Sequence, residues 1–241
     1  MGPRSDADRP ALAGVERVRT GLHLVVDGHL NPMIFSPTWF QREGLMREEE
    51  VEYANERLKA EPSFVAFQTQ HISLVVSQNN LELFSNNEGL ELTIRDLLLN
   101  VFTLLRHTPL TTLTIARSAH IAFIRGGRDA GLKPNWPALA CFDAFEDHLD
   151  SPELTDVSFR SHGGFSGDSA ETFISIQPSQ VPNADVFVEC RYSTGLDGDE
   201  EKTSVDVLHL RLKDEMMDTR RHSEATFDHF SDLLRPENDT R

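Results

Sequence analysis

The stretch "LTTLTIARSAHIAFI" (110–124) constrains the fold of this chain more than any other. It reads as a long strand, with apolar residues recurring at period two on one face. That face carries Leu113, Ile115, Ala119, Ile121 and Phe123, and Arg117 falls in the same row. A permanent cation in the apolar row of a central strand must be paired, capped by carbonyls or open to a cleft. One reading is an ion pair with an acid from the C-terminal half. The other is an anion-binding position shared with Arg125, Arg128 and Lys133, which surround Gly126-Gly127 in "IRGGRDAGLKP". Backbone N–H groups beside glycines can form anion nests. Neither G-x-x-x-x-G-K-[ST] nor G-x-G-x-x-G is present, so nucleotide binding has no specific signature here.

Around this strand the pattern separates hairpins from helices. "GLHLVVDGHL" (21–30) reads as a strand, Ser36-Pro37 as a helix start, and 46–61 as a surface helix stopped by Pro62. Residues 63–85 are β-rich, with Ile72, Leu74 and Val76 on one face and a turn at "QNNL". Thr93 with Asp96 resembles a capping arrangement for a helix using Ile94, Leu97, Leu98, Val101, Phe102, Leu104 and Leu105. Asn135 and Pro137 open a helix with Leu139, Phe142, Phe145 and Leu149 inward. Strands are expected at 154–161, 171–177, 184–193 and 204–213, and a last helix at 223–234. This order predicts an α+β fold: antiparallel sheets with segregated amphipathic helices, in two similar halves packed as one body. The expected divisions are a flexible leader (1–20), an N-terminal half (21–134), a C-terminal half (135–235) and a tail (236–241).

Charge is uneven along the chain. Of the net −16, residues 141–241 contribute −14, from 23 acidic and 9 basic residues. Such a surface repels phosphates, which argues against direct nucleic-acid binding. It suits solubility or a protein partner with a basic surface. No apolar run approaches the roughly 18–20 residues of a membrane span, and the N-terminus has no apolar core of a secretory signal. The cysteines, Cys141 and Cys190, read as buried thiols in a reducing cytoplasm. A homo-oligomer is compatible with the sequence.

Two places invite a chemical reading. "RSHGGFSGDSAE" (160–171) holds His162, Ser166, Asp168 and Ser169, but lacks the G-x-S-x-G elbow and leads into a strand. It reads as a hairpin tip. The ten histidines contain no H-E-x-x-H, and His222 and His229 lie two helical turns apart, about 10 Å of rise, too far for one metal. No catalytic residue, metal or cofactor is expected. The aromatic segment "NPMIFSPTWF" either covers the core or offers Met33, Phe35, Trp39 and Phe40 as a docking surface. The acids Asp197, Asp199, Glu200 and Glu201 are the matching interaction candidates in the C-terminal half.

The run "SLVVSQNNLELFSN", the helix ending "LLRHTP" and the strand "LTTLTIARSAHIAF" resemble an uncharacterised, sporadically distributed family of bacterial proteins of similar length. In that family too a strand pair and a helix lead into a strand carrying an arginine, as Arg117 does here. The closing "VDVLHLRLKDE … FDHFSDLL" has a parallel there as well. The resemblance carries no activity. It implies mobile, defence-type or toxin–antitoxin-type gene contexts. The expectation is a non-enzymatic cytosolic interaction protein: an accessory, adaptor or antitoxin-like subunit. The alternatives are a small-anion or nucleotide sensor or enzyme with an arginine cleft, and a structural subunit of a larger assembly.

Overall fold

A computed structural model describes residues 12–125, 156–162, 170–198 and 202–233 of the chain. The two longest strands, β1 (Leu12–Gly28) and β6 (Leu110–Arg125), pair antiparallel at the centre of the sheet. On one side β1 continues into a meander of β5 (Asn80–Ser85), β4 (Ser73–Ser77), β3 (Phe64–Gln68) and β2 (Lys59–Glu61). On the other, β6 pairs with β9 (Val186–Gly195), followed by β8 (Glu171–Pro178) and β7 (Val157–His162). Among the described residues nine strands form one antiparallel sheet in the order β2-β3-β4-β5-β1-β6-β9-β8-β7. With its helices this is an α+β fold. Strands of both expected halves share the sheet, since Arg117 of β6 sits opposite Cys190 of β9. Residues 12–20, expected in the leader, belong to β1.

The helices are α1 (Pro37–Arg42), α2 (Glu48–Asn55), α3 (Glu91–Leu104) and α4 (Ser204–Leu233). Ser36 caps α1 through its Oγ, which accepts from the Trp39 N–H at 3.2 Å, and Pro37 occupies the first turn as the sequence indicates. Expected helix 46–61 ends early, and Lys59–Glu61 turn back to pair with β3 around Pro62-Ser63. There, cross-strand pairing overrides the helix preference of the segment. The expected Thr93/Asp96 cap is not used. α3 begins at Glu91, and no side chain caps it.

The largest difference from the sequence reading is at 204–213. This is no strand but the start of α4, a single helix that runs on through the expected 223–234. Val205, Val207, Leu208, Leu210 and Leu212 look alternating over a few residues. The buried residues include Val205, Leu208, Leu212, Met216, Thr219, Ser223, Phe227 and Phe230, which is helical spacing over the full length. Thr203 and Asp206 form the capping box that starts it: Thr203 N–H donates to Asp206 Oδ2 at 2.8 Å, and Asp206 N–H donates to Thr203 Oγ1 at 3.2 Å. The Thr203 hydroxyl, which donates to Asp206 Oδ2 at 2.7 Å, and then the Thr203 N–H hold the Asp206 carboxyl below its ordinary pKa.

The first half of α4 joins α1, α2 and α3 over β1 and β3–β6 in one large apolar core. Phe227 and Phe230, near its end, pack in a second cluster with Ala119, Ile121, Val186, Val188 and Ile176. Phe35 and Phe40 are fully buried in the first cluster and Trp39 nearly so, with the Phe40 and Phe67 rings 5.5 Å apart and edge-on. Where β1 ends, Gly28 passes so close to the next segment that a Cβ there would meet the Pro109 carbonyl oxygen at 2.4 Å.

The helix at 204–233 makes a sharp prediction. In a strand, Leu208 and Leu210 would share a face; in α4, Leu208 is fully buried and Leu210 is half exposed. Leu208→Ala lowers unfolding stability by about 2–5 kcal/mol, and Leu210→Ala changes it by less than about 0.5 kcal/mol. Urea denaturation of the two variants distinguishes them.

Candidate functional site

Between the two clusters the interface of α4 with the sheet turns polar. Glu91, Arg117, Glu215, Thr219 and Ser223 are all buried there. Arg117 reaches its place because it shares the inward row of β6 with Ile115 and Ala119. Its two terminal nitrogens bind the two carboxylate oxygens of Glu91, at 2.5 and 3.2 Å. Nη2 also donates to the Met216 carbonyl of α4 at 2.9 Å, and Nε to Thr219 Oγ1 at 3.4 Å. The guanidinium thus ties β6, α3 and α4 together. The ion-pair reading of Arg117 is the one realised, but the acid comes from the N-terminal half. The C-terminal half supplies a carbonyl and a hydroxyl instead.

Glu91 is the first residue of α3, where the helix dipole favours a negative charge. Its Oε2 also lies 3.8 Å from Arg220 Nη1, and Arg220 Nε donates to Glu224 Oε1 at 2.8 Å. Beside this pair stands Arg17 of β1. A register shift between Arg17 and Arg19 leaves Val18 exposed and sets both Arg17 and Thr20 facing α4. Arg17 Nη2 donates to Asp228 Oδ1 at 2.6 Å and to the Glu224 carbonyl at 3.4 Å, with the guanidinium over the Phe227 ring. Alternating acids and bases therefore run from the buried Arg117 outward to Asp228, along a narrow cleft of about 20 Å³. Arg17, Thr20, Arg117, Arg220, Ser223 and Phe227 are among its lining residues.

The other sequence candidates fall elsewhere. Arg125 ends β6 opposite Leu12, while Arg128, Lys133, Asp199, Glu200 and Glu201 lie outside the described residues, as does the expected helix at 135–149. The aromatic docking surface is corrected: Phe35, Trp39 and Phe40 are buried, because they close the core beside β3, and only Met33 of the four is exposed. Asp197 is exposed just after β9. His162 and Glu171 form the last register pair of β7 and β8, and the turn expected between them lies outside the described residues at 163–169. Ser166, Asp168 and Ser169 are outside the described residues.

Cys190 is a free, fully buried thiol, and burial pushes its pKa up to about 11, which leaves it protonated and inert near neutral pH. Burial, then the neighbouring Cys190, also raises the Tyr192 hydroxyl, whose oxygen lies 2.8 Å from His222 Nδ1. Cys141 lies outside the described residues. Among the described residues no three His, Cys, Asp or Glu side chains are grouped to hold a metal ion.

The network missed by the sequence reading is Arg17, Glu91, Arg220 and Glu224. Their one local signal was Arg220 and Glu224 at i, i+4, a stabilising helical ion pair. The network makes Arg117 structural, with a measurable signature. Arg117→Met alone removes the bidentate partner of the buried Glu91, leaving it the more distant Arg220, and costs about 3–5 kcal/mol. Adding Glu91→Leu recovers part of that loss, a coupling read by a double-mutant cycle in urea.

Neither a protein family nor a curated protein matches the chain.

Proposed function

We propose that this chain is an interaction protein that works by binding another protein through the outer surface of α3 and α4. The observation that carries the reading is apolar exposure. Leu210 and Met217 lie seven residues apart on α4, each about half exposed, and so share one solvent-facing stripe. Leu92 and Leu104 are similarly exposed on α3. The two helices run side by side and antiparallel, since Glu91 meets Met216 and Arg220 through the polar network while Thr103 lies 3.4 Å from His209.

Exposed charges rim the α4 stripe: Asp206, Asp214 and Asp218 against Lys213 and Arg221. Of the −14 expected to form a C-terminal face, −9 lies outside the described residues (11 acids against 2 bases), so the reading leans on the helical stripe first. A partner with its own amphipathic helix and basic flanks fits both features. The helix it presents would lay an apolar edge along Leu210 and Met217. No helix among the described residues is long and apolar enough to cross a membrane. A cytosolic setting and a defence-type context belong to the same proposal, through the resemblance described above.

The experiment is paired capture from the native host at low salt. Wild-type protein is compared with Leu210→Lys/Met217→Lys, and eluates are weighed by native mass spectrometry. The account expects one stoichiometric partner with wild type, released as salt rises and lost from the double variant. Met33→Lys, at an exposed site on another element, retains it. A partner held equally by the double variant would remove α4 as the binding surface.

A further inference from the structure

The polar cleft has an open end that the stabilising role of Arg117 does not use. At its floor Arg117 is fully engaged by Glu91, Thr219 and the Met216 carbonyl. At its mouth stand two further guanidiniums, Arg17 and Arg220, which meet at Glu224: Arg17 bonds the backbone carbonyl of that residue and Arg220 its carboxylate. Each has an exposed acidic partner, Asp228 with 73% and Glu224 with 49% of the side chain exposed, while the buried Glu91 stays 3.8 Å from Arg220. Such pairs are weak and exchangeable, in contrast to the buried pair below them.

Charge counts the same way. Arg17, Arg117 and Arg220 are balanced at rest by Glu91, Glu224 and Asp228, so displacing the two exposed carboxylates leaves two positive charges to be met, in a chain whose net charge is −16. We propose that the cleft mouth between Arg17 and Arg220 binds the phosphate group of a small molecule, with Asp228 and Glu224 as the internal anions it displaces. Phosphate suits the site better than a carboxylate because one dianion with three oxygens can engage two guanidinium forks at once. The two resident carboxylates each engage one. Phe227 holds Arg17 at the mouth, its ring centroid 5.4 Å from the guanidinium carbon. Arg117 does not touch the ligand. It fixes Glu91, and Glu91 positions Arg220. The narrow floor of the cleft restricts the site to a head group, with the rest of the ligand outside it.

The test is thermal unfolding with inorganic phosphate as the probe, against chloride at equal ionic strength. The wild-type protein should show a saturable rise in melting temperature beyond the chloride control. Arg17→Ala should abolish the saturable part, while Arg221→Ala, at an exposed arginine 3.5 Å from Asp218, should leave it intact. Asp228→Asn removes only an exposed competing carboxylate, so it should keep the fold and tighten phosphate binding by about two- to fivefold, the worth of one surface ion pair. Asp228→Asn thereby keeps the test decisive even if Arg17→Ala fails to fold. A rise that never saturates and is equal in all variants would be the general stabilising effect of excluded salts and would overturn the site. So would the absence of any shift beyond chloride, or an unchanged affinity in Asp228→Asn.

Discussion

The bidentate pair between Arg117 and Glu91 is the constraint on which the rest of this structure depends. A guanidinium in the inward row of a central strand must find an anion, or the helix layer cannot close over it. Glu91 supplies the anion from the first turn of α3, and α4 adds a carbonyl and a hydroxyl. Three elements far apart in sequence are thereby fixed against one another at one point. The apolar core is divided there into a large cluster under α1–α3 and a small one under Phe227 and Phe230. Apolar packing alone would tolerate α4 sliding along the sheet; a hydrogen-bonded pair in mid-helix does not.

This arrangement also decides which surfaces are free. The aromatic segment is consumed in closing the core, and the deepest arginine is consumed in joining helix to sheet. Facing outward are the stripe of α4 and, at the cleft mouth, Arg17 and Arg220 with their exposed carboxylate partners. One is apolar and extended, suited to another protein. The other is a small cluster of surface ion pairs, which under the proposal above exchanges a carboxylate for a phosphate. Both involve α4, at Leu210–Met217 and at Arg220–Asp228, the second together with Arg17 of β1, so ligand and partner would act on one rigid element.

Much of the fold was legible in the chain because period-two patterns there are long. The row Leu113, Ile115, Arg117, Ala119 and Ile121 is buried as the alternation requires, and the hairpin of β4 and β5 turns at the expected "QNNL". Helix α4 was misread at its start because Val205, Val207, Leu208, Leu210 and Leu212 satisfy both periods over a few residues. The signal that separates them was the Thr203–Asp206 capping box, followed by buried residues at helical spacing. The need of Arg117 for a counter-charge was legible too. Its partner was not, because Glu91 carries no local mark: it is one acid among several before an apolar helix, and only the antiparallel placement of α3 and α4 brings it under Arg117. Arg17 was hidden for a related reason, since the bulge at Val18 turns it inward and no turn residue announces it.

Native-state hydrogen exchange tests the central claim most directly, by comparing backbone amides around Met216–Arg220 of α4 with those around Arg117 of β6. If the buried pair joins helix and sheet, both sets exchange through one opening with the same free energy. An α4 middle that opens at much lower free energy than β6, with β6 still protected, would contradict the account and leave the pair as a local contact only.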